Sequence, residues 1–442
     1  MILEGEQTES RVDHILCLAP RRNHLLLRLG PCPASKSSNW KWRLKAVNGC
    51  ANASRNVSNN SPTNTARFFP HSGQRLRTRQ RRPKTLRSLY GPIELQLWEG
   101  RDPGDGHWGC PLLENWDVRP HQQFTPAARR RLAFTVTATA TYADAAAVAT
   151  EWGLPVEDAT LHSLVQRVGA RAEAQTQARL AQPAVEREPQ RAPTQLLNLM
   201  IDGCQIRFRG PGWSHPHSSQ PHVEWHELKL GVCYRQESVS PAANGRGGLS
   251  DKRLVSWRGE AMELGRRLHW EAQAEGLGRA RRVRTVNDGA PWIWSLVTDR
   301  WPQAEQVLDF YHGSSHLHAL AEALHADEAA ASAWVKPRRR RLRHGHAGKL
   351  LAEVRALKAP AGQAGAIVQR EQNYLAGHAH RMSYRELARS GPIGSGTVES
   401  ACRSRQCRFK RPGQFWTETG LRHLCALQEA RCNHHWTELW KS

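Results

Sequence analysis

The clearest hydrophobic pattern lies in the second half of the chain. Residues 196–208, Leu-Leu-Asn-Leu-Met-Ile-Asp-Gly-Cys-Gln-Ile-Arg-Phe, pass from an apolar run into alternation and predict a strand. Residues 226–236 and 253–258 predict a second and a third. Apolar residues at helical spacing follow over 261–275. Residues 282–287 predict a fourth strand, 291–300 a short helix opened by Pro291, and 304–310 a fifth strand leading into a helix through Leu324. The first three strands suit an antiparallel meander. The later strands would add in parallel, through helical crossovers. Residues 326–384 break the alternation with a basic, helical stretch.

That element order predicts an α/β fold, a ribonuclease H-like mixed sheet. Its catalytic core would run over 195–325 and resume over 385–442, with 326–384 as a helical insertion. Upstream, residues 85–100 alternate and turn at Gly91-Pro92, which predicts a β-hairpin. A lone Cys110 follows in a Gly/Asp-rich turn. Thr125-Pro126 opens a helix, residues 142–153 make a second that Gly153 ends, and 154–168 supply a third. Helix, short glycine turn, helix is the helix-turn-helix outline, so 84–170 is a candidate DNA-binding region. A plainly packed helical hairpin fits the same pattern. Residues 171–194 are a polar Ala/Gln/Arg/Pro linker. Residues 1–83 show no period and predict a basic disordered tail.

Charge sharpens the choice of partner. The chain carries 63 Lys and Arg against 40 Asp and Glu, a formal net charge of +23. Between Asp13 and Glu94 there are sixteen basic residues and no acidic one. Such clustering favours a polyanion, because neutralised phosphates release their counterions. The run 336–343, with Arg338, Arg339 and Arg340, is either a contact to a DNA backbone or a solvated turn, and the basic chain favours contact. The ten Cys form no Cys-x-x-Cys pair, so no zinc ribbon is signalled and reduced structural thiols are expected. No stretch is apolar enough for a membrane span or a signal-peptide core. A cytoplasmic, nucleoid-associated protein is expected.

Three carboxylates carry the candidate chemistry. Asp202 and Asp288 each end a strand before a glycine, and Glu399 opens a helix after Gly394-Ser-Gly-Thr. Alone, an Asp before Gly is usually a turn residue. The predicted strand order makes the first and fourth strands neighbours, which brings both Asp to one sheet end. Two Asp and a Glu are the hard oxygen ligands that two Mg²⁺ ions require, with Mn²⁺ as a possible substitute. Trp225, Glu227 and Lys229 alternate, hence share a strand face. Either Lys229 reaches a phosphate or it pairs with Glu227 in solvent.

The local motifs resemble those of bacterial insertion-sequence DDE transposases of the ISKra type, relatives of the Mutator-like transposases. Ile201-Asp202-Gly203 is similar to the first-Asp motif, and Trp225-His-Glu227-Leu-Lys229 to the second-strand motif. Asn287-Asp288-Gly289-Ala-Pro-Trp is similar to the second-Asp motif, Asp309-Phe-Tyr-His312 to the (C/D)-x-x-H box, and Gly394–Ser400 to the final-Glu motif. The segment 408–416, Arg-Phe-Lys-Arg-Pro-Gly-Gln-Phe-Trp, resembles the basic stretch beyond it. The resemblance spans about 195–440 and is looser over 85–170. It implies Mg²⁺-dependent cleavage of transposon ends and strand transfer. Asp202, Asp288 and Glu399 would be the catalytic metal ligands, with Asp309 and His312 beside them. Lys229, Arg403, Arg405, Arg408, Lys410 and Arg411 would face DNA. The implied partners are double-stranded DNA, as terminal inverted repeats and target, and further copies of the chain in a homodimer or larger oligomer. The chain departs from the family in lacking amino-terminal Cys pairs. A catalytically silent DNA-binding relic or repressor is the alternative.

Overall fold

The computed structural model describes residues 68–119, 121–182, 192–211, 213, 222–241 and 247–441. Most of the expected basic tail, residues 1–67, lies outside the described residues.

The amino-terminal sheet pairs β1 (Arg77–Ser88) with β2 (Gly91–Arg101), and β3 (Trp108–Gly109) adds antiparallel to β2. The hairpin turn needs Gly91, which sits at φ +109°. The tail was expected to run unstructured through residue 83, yet Arg77–Pro83 form half of β1. Arginine hid that strand. Arg79 and Arg81 lie over the Trp98 ring at 5.1 and 4.6 Å, so aliphatic stems and cation–π contacts replace the missing apolar alternation. A short helix, α1 (Pro111–Asn115), closes this unit. Its core is small, with Leu86, Leu97, Cys110, Leu113 and Val118 packed apart from the main core.

Next come α2 (Pro126–Ala138), α3 (Tyr142–Glu151) and α4 (Asp158–Ala181). Thr125 and Thr141 cap the first two through their hydroxyls. Gly153 turns the chain after α3 at φ +74°. The expected linker 171–194 is a helix as far as Ala181. Its amphipathic face carried the helix on: Ala172 is buried, and Glu173 binds the buried Arg267 at 2.6 Å.

The central sheet uses β4 (Leu197–Arg209), β5 (Val223–Arg235), β8 (Arg253–Trp257), β9 (Val283–Asn287) and β10 (Glu305–Leu308). A separate small hairpin, β6 (Val239–Pro241) with β7 (Gly247–Leu249), precedes β8. The order across the sheet is β10-β9-β4-β5-β8. β4, β5 and β8 are antiparallel, while β9 runs parallel to β4 and β10 parallel to β9. The expected mixed sheet, with first and fourth strands adjacent, is observed. The parallel strands enter through α5 (Ala261–Ala274) and α6 (Pro291–Arg300), and α7 (Phe310–Leu324) follows β10.

α8 (Glu328–Arg343), α9 (Ala347–Arg355), α10 (Gln363–Gly377) and α11 (Tyr384–Leu387) then lead to α12 (Gly396–Phe409), α13 (Glu418–Cys432) and α14 (Trp436–Leu439). α10 packs on α7, α12 on β4 and β5, and α13 on β8 and α4. One contact on this second face is close: a Cβ on Gly169 of α4 would stand 2.3 Å from the His423 carbonyl oxygen. No helix among the described residues is long and apolar enough to cross a membrane.

Candidate active site

β4 and β9 pair only from Leu197 to Leu199. Beyond that point the strands part, and the Asn287 side chain bridges them by accepting from Ile201 N at 2.7 Å. The mouth of this split is where Asp202, on β4, and Asp288, one residue past β9, are placed. Asp288 Oδ1 accepts from Ala290 N at 3.0 Å, which turns the chain into α6. Asp202 Oδ1 accepts from Gly203 N at 2.7 Å.

Side chains alternate along β4, so Met200, Asp202 and Cys204 share the face covered by α12. Glu399 stands in the first turn of α12, exposed, with Oε1 accepting from Ser395 Oγ at 2.6 Å. Burial holds Asp202 above the ordinary carboxylate range, and the negative fields of Asp288 and Glu399 add to that. The Cys402 thiol and Gly203 N pull the other way by hydrogen bonding to it. Asp202 therefore lies within electrostatic reach of both other candidates.

The three do not form one tight knot. Among the described residues, the group with ligand atoms all within 4.8 Å of one another is His71, Asp102 and Asp105, far away in sequence. Two divalent ions about 4 Å apart, each bound at about 2.1 Å, call for a wider spread of carboxylates than that. Asp202 does not end its strand as expected, since β4 runs on to Arg209 in register with β5. The donor set still suits such a pair, as three hard oxygen ligands on a strand, the residue after a neighbouring strand, and a helix packed on the sheet.

Asp309 proves to be a holding residue. It is buried, and its Oδ1 accepts from His312 N at 2.6 Å, which caps α7. Its Oδ2 accepts from Ser395 N and from Ser395 Oγ, at 2.5 and 2.9 Å. The same serine hydroxyl stands 2.6 Å from Glu399 Oε1, so its one hydrogen is shared between the two carboxylates. Asp309 thus fixes the entry of α12, and with it the position of Glu399. Arg284 holds the preceding loop: fully buried on β9, it donates to Leu387 O, Pro392 O and Ser390 Oγ, and pairs with Glu305 at 3.0 Å.

His312 faces the insertion. Its Nε2 is 3.3 Å from His316 Nε2, and His316 is bonded to the buried Glu371 of α10. Tyr374 stacks on His316 at 3.6 Å, and its hydroxyl lies over Gly289, where a Cβ would meet it at 1.9 Å. Burial and the charge of Asp288 push the Tyr374 phenol up. Burial and Arg381 push His378, one turn on, down to about 4. None of Glu371, Tyr374 and His378 stood out in the sequence. Their spacing of three and four residues on one helix face was the available signal.

The cations divide. Lys229 is largely buried, paired with Glu227 at 2.9 Å and set over Trp292 at 5.2 Å. It shares its face with Gly231, which packs on Leu268 of α5, so it points away from Asp202. The ion pair with Glu227 is observed, although it is half-buried rather than solvent-facing. Arg405 and Arg408, expected to face DNA, are buried. Arg405 donates to Gln428 and Arg408 to Ala140 O, because the inner face of α12 must pack against α13 and the α2–α3 junction. Arg338 is half-buried between Trp334 and Glu353. Arg339, Arg340, Arg403, Lys410 and Arg411 are exposed. Lys410 and Arg207 flank the exposed Trp225 ring at 5.0 and 5.8 Å.

No protein-family model and no curated protein matches the chain. Among solved structures it is similar to the "Drosophila P element transposase strand transfer complex", at 11% identity and a TM-score of 0.25, over 71% of this chain and 79% of that one. At that score the functional reading rests on the geometry above.

Proposed function

We propose that the chain is a DDE transposase with a ribonuclease H-like core, which cleaves transposon-end DNA and transfers its strands into a target. One observation carries the reading. Asp202 on β4 and Asp288 just past β9 lie on neighbouring strands beyond the last residues that those strands pair, and Asp202 feels the charges of both Asp288 and Glu399.

Asp202, Asp288 and Glu399 would hold two Mg²⁺, for which Mn²⁺ can substitute. When bound, such ions make an attacking water or 3′-hydroxyl more acidic and neutralise the leaving oxygen. The chain itself supplies the placement. The Asn287 bridge keeps the strands apart, and Asp309 with Arg284 fixes the loop that carries Glu399. Exposed Arg403 on α12, with Lys410 and Arg411 just past its end, offers cations to a duplex that crosses the carboxylates. The partner is double-stranded DNA, bound by a homodimer or larger oligomer.

The test is cleavage of DNA carrying the inverted repeats that flank the coding region. Asp202→Asn, Asp288→Asn and Glu399→Gln should each abolish Mg²⁺-dependent nicking and leave gel-shift affinity within about threefold. Nicking that survives all three changes defeats the reading. Binding without nicking by the unaltered chain assigns it to a silent DNA-binding relic.

A further inference from the structure

The amino-terminal unit contains a cluster that the catalytic reading leaves unused. His71 lies in the turn between Phe68 and Arg75, which pair in a bridge. Its Nε2 stands 2.8 Å from Asp102 Oδ2 and 3.4 Å from Asp105 Oδ2. Asp102, just past β2, is fully buried. We propose that His71, Asp102 and Asp105 form a Zn²⁺ site that clips the first turn of this unit to its β2–β3 turn.

The donors suit zinc, which takes imidazole nitrogen and carboxylate oxygen at about 2.0–2.2 Å. Ligand atoms on a tetrahedral ion sit about 3.4 Å apart, which matches the His71–Asp105 distance, while Asp102 would draw back slightly from His71. An imidazole ligand disfavours Mg²⁺ and Ca²⁺, which prefer oxygen. Exposed His71 and Asp105 leave the fourth position to water.

The surrounding groups are arranged as a metal's supporting shell. Glu114 Oε2 lies 3.6 Å from the other ring nitrogen, His71 Nδ1, near enough to take up its hydrogen once Nε2 is given to an ion. Ser72 Oγ donates to Asp102 Oδ2 at 2.6 Å and Gly104 N to Oδ1 at 2.8 Å, which fixes the buried carboxylate. His107 Nε2 approaches Glu114 Oε1 at 3.4 Å. The unit's own core cluster has five buried members, so a clip between two of its turns would add to its stability without being required for its fold.

The experiment uses untagged full-length protein, loaded with Zn²⁺, dialysed, and assayed for metal by mass spectrometry. The chain and its Asp288→Asn variant should each retain about one Zn²⁺. His71→Ala and Asp105→Asn, both at exposed positions, should bind Zn²⁺ at least tenfold more weakly while keeping the parent circular dichroism spectrum. Co²⁺ should give visible absorption that Zn²⁺ displaces and that His71→Ala lacks. Equal zinc retention by the parent and His71→Ala, or no Co²⁺ absorption from the parent, overturns the proposal. Loss of zinc in Asp288→Asn but not in His71→Ala would place the ion at the carboxylate site and overturns it equally. Nicking activity does not enter these readouts.

Discussion

The Asp309–Ser395 link offers a graded test of how the fold positions Glu399. Asp309 serves two helices with different oxygens: Oδ1 caps α7 through His312 N, and Oδ2 receives Ser395 N and Oγ at the entry to α12. Asparagine is as good a helix cap as aspartate. In Asp309→Asn one end of the amide must still turn an N–H toward a backbone N–H, whichever way it is flipped. If the cap is kept, Ser395 N loses its acceptor in a buried setting, which costs about 1–3 kcal/mol, and the charge-assisted component of the remaining bonds goes too. The expected loss is about 2–4 kcal/mol.

Asp309→Ala removes the cap as well and adds about 1 kcal/mol. Ser395→Ala removes only the hydroxyl bridge, worth about 1 kcal/mol. Urea denaturation followed by circular dichroism should therefore rank the losses Ser395→Ala, Asp309→Asn, Asp309→Ala. Where the variants remain folded, Asp309→Asn should slow nicking with little change in DNA affinity, because the displaced group is the one beside Glu399. An Asp309→Asn midpoint equal to the parent's, or a Ser395→Ala loss larger than that of Asp309→Asn, would refute the reasoning.

Two further outcomes follow from charges whose surroundings are known. Burial raises Glu429 to about 7, against the pull of Arg267 and Arg405. The folded state thus binds more protons than the unfolded one between about 4.5 and 7, and stability falls as pH rises through that window, by roughly 3 kcal/mol in all. Glu429→Gln should flatten the fall in melting temperature between pH 5 and 7.5; an unchanged slope would count against the burial argument. Arg403→Ala and Lys410→Ala should each lower DNA affinity and reduce the salt slope, log affinity against log salt, by about one. Arg408→Met should leave that slope unaltered, since its guanidinium donates inward to Ala140 O at 2.6 Å; a reduced slope there would return Arg408 to the DNA face.

The parts legible in the sequence were those where one physical cause dominates a stretch of chain. β4 reads as a strand because Leu197, Leu199, Met200 and Ile201 are all buried, and Asp202 stands out as the acid that ends that run. The adjacency of β4 and β9 came with the ribonuclease H-like strand order, since sequential pairing alone would have set β9 beside β8. What escaped was decided by partners rather than by period. β1 reads as a basic tail until Trp98 is seen beneath its arginines. The α4 extension reads as a polar linker until Glu173 meets Arg267. Asp309 resembles a site residue by its neighbours in sequence, yet both of its oxygens are spent on backbone donors and a serine. Tyr374 lies 86 residues beyond Asp288 in the chain, and only the docking of α10 on α7 brings it over Gly289.

Net charge misled in the same way. A formal +23 invites the placement of every arginine near the triad against DNA. Yet Arg129, Arg253, Arg267, Arg284, Arg405 and Arg408 are buried. Arg253 pairs with Glu271 and Glu275, Arg267 with Glu173 and Glu263, and Arg284 with Glu305. Such pairs consume acidic residues together with basic ones, so they leave the net charge as it was while removing both signs from the surface. Unpaired inward cations such as Arg405 and Arg408 do the opposite: they count toward +23 and contribute nothing to a phosphate contact. Of the cations expected to face DNA, the exposed subset is Arg339, Arg340, Arg403, Lys410 and Arg411; Arg403 lies on the helix that bears Glu399, and Lys410 and Arg411 lie just past its end. One helix therefore carries Glu399 in its first turn, ties itself to the body of the protein through the inner Arg405 and Arg408, and turns Arg403 to solvent.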